Sequence, residues 1–68
     1  MDKALQEAIR RAGGLHALGR ALGITFQAIQ KWPYAPVRRV LEIERLAGVP
    51  RHKLRPDIYP SAEYRRKR

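Results

Sequence analysis

Glycine and proline cut this chain into pieces that can only be short helices packed on one another. Gly13-Gly14, Gly23 and Gly48 each close an apolar-periodic stretch, and Pro33, Pro36 and Pro50 mark further boundaries. No stretch alternates polar and apolar residues as a half-buried strand does. No apolar run approaches the roughly 18 residues that a membrane-spanning helix needs. With 68 residues there is room for one domain and one core. The expected class is therefore all-α.

The periodicity predicts four helices and a further single helical turn. In residues 1–12, Ala4, Leu5, Ala8, Ile9 and Ala12 share one face, with Asp2 placed to cap the start. Residues 15–22 repeat Leu15, Leu18 and Leu22, with Gly19 on the packed side and His16 and Arg20 outside. Thr25 sits where an N-cap belongs, and Ala28, Ile29 and Trp32 then face inward on a third helix over 26–32. A fourth helix over 36–47 presents Val37, Val40, Leu41, Ile43, Leu46 and Ala47 as a broad inner face, with Pro36 in its first turn. A single turn over 50–54 is anchored by Leu54. Residues 55–60 are expected to be extended, because Pro56 and Pro60 bracket them. The domain thus covers 1–60, and 61–68 form a basic, disordered tail ending in Arg65-Arg66-Lys67-Arg68.

Charge narrows the partner. Fifteen Lys+Arg against six Asp+Glu leave +9, an excess that opposes compaction and attracts a polyanion. The N-terminus lacks a charged-then-apolar secretory signal, so the expected location is the cytoplasm, and no membrane partner is expected. There is no cysteine, so disulfides and thiolate metal sites are excluded. His16 and His52 have no second ligand at metal spacing and read as surface residues. No catalytic constellation is present either. The one serine, Ser61, falls in the tail, and no two carboxylates stand three or four residues apart. The chain is read as a non-enzyme with no cofactor, no metal and no small-molecule ligand.

The central signal is the run from Leu15 to Trp32, two short helices joined at a glycine. Gly19 lets the second helix approach the third, Gly23 permits a sharp turn at positive φ, and Ile24 buries itself under that turn. A short following helix with a polar outer face completes the pattern of a DNA-binding helix-turn-helix, whose second helix enters the major groove. An ordinary αα-hairpin is the plainer alternative.

This run resembles the helix-turn-helix of Cro-type phage repressors. The continuation through Ile43-Glu44-Arg45, Leu46-Ala47-Gly48-Val49 and Leu54-Arg55-Pro56-Asp57-Ile58-Tyr59 is similar to the YdaS-like Cro/antitoxin group, over about residues 3–60. The resemblance implies a five-helix, lambda-repressor-like domain. It also implies a prophage or phage transcriptional repressor that binds a pseudo-palindromic operator as a homodimer, formed in solution or only on DNA. Phe26 departs from the pattern, since many relatives carry a polar residue there.

The resemblance places Gln27, Gln30 and Lys31 at base edges. Their chemistry suits that role, because glutamine pairs bidentately with adenine and lysine donates to guanine acceptors. Two roles are open to Phe26: contact with a thymine methyl group, or a hydrophobic staple against a neighbouring turn. Thr25 caps the helix and can reach a phosphate, as can the backbone opening the second helix at Leu15, with His16 beside it. Arg38 and Arg39 are expected to clamp phosphates. The blander reading is a solvated face, with Arg38 paired to Glu42 four residues on. Tyr34 is either a dimer contact at a loop tip or a packed lid. Trp32 has the register of a core residue. Two other function classes stand beside the repressor: an antitoxin that also contacts a toxin, and a non-specific nucleic-acid binder.

Overall fold

A computed structural model describes residues 1–60, which form five α-helices with no strand among them. The basic tail expected over 61–68 lies outside the described residues. The helices are α1 (Lys3–Arg11), α2 (Leu15–Leu22), α3 (Phe26–Gln30), α4 (Val40–Ala47) and α5 (Arg51–Leu54), with a 3₁₀ turn at Val37–Arg39 leading into α4.

Local chemistry sets most of the boundaries. The Asp2 carboxylate accepts the Leu5 amide at 2.9 Å and starts α1. The chain leaves α1 when the Gly14 amide turns back to the Ile9 carbonyl at 2.8 Å. Thr25 Oγ1 accepts the Ala28 amide at 3.3 Å and starts α3. Gly23, at φ 75°, takes the left-handed conformation that ends α2 and turns the chain into α3.

The inward faces meet in one cluster. Leu5, Leu18, Ile29, Val40, Ile43 and Leu54 are fully buried, one or two from each helix. Burial of each stabilises the fold by about 1.5–3 kcal/mol relative to exposure. Ala4, Ile9, Ala12, Leu15, Ile24, Trp32 and Tyr59 pack around them, so Trp32 is a core residue as its register predicts.

Three expectations need correction. α3 ends at Gln30, two residues early, because the amides of Lys31 and Trp32 reach back only three residues, to Ala28 and Ile29. Lys31 is therefore the C-cap rather than a helical residue. In the fourth segment only Val40, Ile43 and Ala47 are buried; Val37, Leu41 and Leu46 are 45%, 42% and 45% exposed. The buried stripe is narrower than the apolar one, and those three side chains flank it. Residues 55–60 are not extended. The amides of Ile58 and Tyr59 both return to the Arg55 carbonyl, closing a turn that brings Tyr59 onto the core and leaves Ile58 exposed.

Arg55 holds that turn against the rest of the domain. Its guanidinium donates to both Asp57 carboxylate oxygens, at 3.0 and 2.8 Å, and to the Ala35 carbonyl at 3.1 Å. It also lies over the Tyr34 ring, 4.5 Å from the centroid. The Asp2 amide donates to the Pro33 carbonyl at 2.8 Å. The loop leaving α3 is thus fastened to the start of α1 at one residue and to the segment after α5 at two others.

Candidate nucleic-acid interface

The interface is built on the packing of α2 against α3. Gly19 is buried at their contact, and a Cβ there would lie 2.8 Å from the Ile24 carbonyl oxygen and 3.4 Å from the Phe26 nitrogen. Only a residue without a side chain lets α3 begin so close to the middle of α2. Ile29 then points into the core and fixes the rotation of α3. That rotation puts Gln27, Gln30 and Lys31 on the exposed side. The three residues expected to read bases therefore share one solvent-facing edge, directly after a capped helix start.

The residues expected at phosphates are more varied. Thr25 is exposed but its hydroxyl oxygen is engaged in the cap. Leu15 is half-buried against the core, so only its backbone is suited to an anion. Gly14 provides no side-chain cap to α2. His16, in the first turn of α2, is exposed. Arg38 is exposed and forms no ion pair with a described residue.

Arg39 differs. Its Nη1 donates to the Leu22 carbonyl at 3.4 Å, at the end of α2, and to Glu42 at 3.1 Å. The pairing with Glu42 that the plainer reading gave to Arg38 is made instead by Arg39, three residues from Glu42. Half-buried and tied to two elements, Arg39 bridges α2 and α4. Tyr34 is 48% exposed at the loop tip, one face covered by Arg55.

The distribution of ion pairs sharpens the electrostatics. Arg11 pairs with Glu7, Arg39 with Glu42, Arg51 with Glu44 and Arg55 with Asp57. Asp2 is engaged in its cap, so every described carboxylate has a local role. Lys3, Arg10, Arg20, Lys31, Arg38, Arg45 and Lys53 remain without a carboxylate partner among the described residues. The excess charge is thus presented outward rather than neutralised internally. Two carboxylates are held well into their charged form. Glu44 lies below its ordinary value because its Oε2 accepts the Arg51 amide at 2.9 Å and its Oε1 the Arg51 guanidinium. Asp57 is lowered by the bidentate Arg55.

One contact was not foreseen. The rings of His16 and Phe26 stack with centroids 4.3 Å apart, tilted by 35°. The clue lay in the spacing: His16 stands three residues before Gly19, one helical turn along the same face. Whatever begins close above Gly19 meets residue 16 next.

Among the described residues no helix is long and apolar enough to cross a membrane. No group of three His, Cys, Asp or Glu residues among them is placed to hold a metal ion.

No curated protein and no solved structure matches the chain. Residues 5–63, nearly its whole length, match the family described as bacterial toxin YdaS. That match spans the α2–α3 pair, the Arg39 bridge and the Arg55 turn together, and the chain belongs to the bacterial toxin YdaS family.

Proposed function

We propose that this protein is a sequence-specific double-stranded DNA-binding transcriptional repressor that lays α3 in the major groove. One observation carries the reading: the glycine-tight α2–α3 packing that turns Gln27, Gln30 and Lys31 outward as a set, on a domain where seven of the described Lys and Arg residues have no carboxylate partner among the described residues. A polar helix edge able to make bidentate base contacts, surrounded by cations able to neutralise phosphates, divides the work of binding as DNA readers do. A five-residue helix spans only a few base pairs, so two copies on a pseudo-palindromic site are required for specificity. Their half-site centres are expected roughly 34 Å apart.

Selection of bound duplexes from a random library tests this directly. The expected result is an inverted-repeat site bound by two chains, with affinity that falls steeply as salt rises. Equal binding of random duplex, RNA and selected DNA would overturn it.

The family's description as a toxin favours a second reading, in which the same DNA-reading edge arrests growth of the cell that makes the protein. Induced expression in a bacterium separates the two. Growth arrest by the wild-type chain, relieved by Gln27→Ala, supports the toxic role; unaffected growth alongside repression of a reporter supports the regulator alone.

A further inference from the structure

Phe26 is placed unlike the other large apolar residues between Leu15 and Trp32. Leu15, Leu18, Leu22, Ile24, Ile29 and Trp32 all belong to or pack on the core cluster, whereas Phe26 lies outside it. Its aromatic partner is His16, which is itself exposed. Phe26 is half-buried without joining the core cluster, and its ring rests on an imidazole at the surface. It is also the first residue of α3, one position before Gln27. An apolar ring therefore stands at the head of an otherwise polar reading edge.

We infer that His16 and Phe26 act as one aromatic unit that selects a 5-methylpyrimidine, thymine in ordinary DNA, at the base facing the start of α3. This rests on the DNA-reading proposed above and adds to it the chemistry of one base position. A phenyl ring offers no hydrogen-bond donor or acceptor, and the one apolar group displayed on a base edge in the major groove is the C5-methyl of thymine. A purine edge there presents polar atoms that contact with Phe26 would desolvate without a partner, and cytosine lacks the methyl that would fill the contact. His16 is a positioning residue. With ring centroids 4.3 Å apart, the imidazole occupies one side of Phe26 and restricts the rotamers open to it. Because His16 belongs to α2, the orientation of the methyl-contacting ring is set by α2 as well as by α3.

The test uses the full chain and its selected duplex, with each thymine of the half-site replaced in turn by deoxyuridine, which removes only the methyl group. Affinity is read by fluorescence anisotropy at fixed salt. At one thymine per half-site the wild type is expected to lose about four-fold, the worth of one buried methyl-sized group. Phe26→Ala is expected to bind the thymine and uracil duplexes equally. His16→Ala is expected to shrink the ratio below two-fold, whereas His16→Phe, which keeps a ring beneath Phe26, retains it. Circular dichroism of each variant checks that the helices form. No loss at any uracil in the wild type, or a full four-fold ratio persisting in Phe26→Ala, overturns the inference while leaving the DNA-reading intact. Failure to recover any preferred duplex overturns the DNA-reading and the pair's role with it.

Discussion

The Ile24 carbonyl oxygen lies 2.8 Å from the point where a Cβ on Gly19 would stand, while the Ile24 amide donates to the Gly19 carbonyl at 2.9 Å. The nearest obstacle to a side chain at residue 19 is thus main chain, and a backbone carbonyl cannot rotate aside. Alanine at 19 gains up to about 1 kcal/mol of helix propensity. It must also push α3 off α2, and overpacking of this kind costs about 1–3 kcal/mol. The steric cost is expected to win, since the obstacle is main chain. Gly19→Ala should lower the melting temperature by several degrees, at about 4–8 °C per kcal/mol for a domain this small. Gly19→Val should lower it further. A thermal melt in which Gly19→Ala is more stable than wild type would show that the helices separate freely.

Stability is expected to fall on acidification through two named carboxylates. Hydrogen bonds from the Arg51 amide and guanidinium lower Glu44, and the Arg55 side chain lowers Asp57. A group lowered in the folded state binds protons more readily when unfolded. Its contribution is therefore complete above the ordinary carboxylate range near pH 4 and is lost as pH drops through the lower folded-state values. Denaturant midpoints measured from pH 6 to pH 2 should decline below about pH 4. Asp57→Asn and Glu44→Gln should each flatten that decline and cost stability mainly at pH 6. An unchanged acid limb in both variants would mean that other groups set it.

The elements legible in sequence were those fixed by neighbours in sequence. Asp2 and Thr25 cap within three residues, and Gly23 and Gly48 stop helices where they stand. The Leu15, Leu18, Leu22 repeat needs only the helical period. What escaped depended mostly on partners far along the chain. Pro56 and Pro60 suggest an extended segment, but the Ile58 and Tyr59 amides close a turn on the Arg55 carbonyl, and the reach of Arg55 to Ala35, twenty residues earlier, fastens that turn to the domain. Arg38 and Arg39 look alike in sequence, and the contacts of Arg39 to Leu22 and Glu42 separate them. The exposure of Val37, Leu41 and Leu46 escaped for a related reason. Periodicity marks an apolar sector, and the width actually covered is decided by how far the neighbouring helices reach. The exposure of Gln27, Gln30 and Lys31 followed from the register of Ile29, and their expected role came from the family resemblance, whereas the His16–Phe26 stack needed the crossing of α2 and α3.

Arg38 and Arg39 should now behave differently on DNA. Arg38 has no carboxylate partner among the described residues, so Arg38→Ala should weaken binding to all duplexes alike and reduce the slope of log affinity against log salt by about 1. Its stability should change by no more than about 0.5 kcal/mol. Arg39→Ala removes the bridge from α4 to the end of α2 as well as the Glu42 pair. It should lower the melting temperature in the absence of DNA. Equal salt slopes and equal melting temperatures for the two variants would remove the distinction drawn from their contacts.

Gln27 and Lys31 should separate base choice from helix integrity. Gln27 is exposed within α3 and makes no hydrogen bond through its side chain among the described residues, so its amide is free for a base edge. Gln27→Ala should cost about 1–3 kcal/mol on the best selected site and relax preference at one base pair, without altering the salt slope. Alanine favours helix, so the isolated fold should be no weaker. Lys31 stands at the C-cap rather than within the helix, where a point charge on a flexible stem meets more than one acceptor. Lys31→Ala should therefore lower affinity with a smaller change in preference, and Lys31→Gln should not restore it. Parallel binding to the selected site and to single-base variants measures both effects. A uniform loss across all sequences in Gln27→Ala would remove that residue from base reading, and a sharp change of preferred base in Lys31→Ala would reverse the two roles.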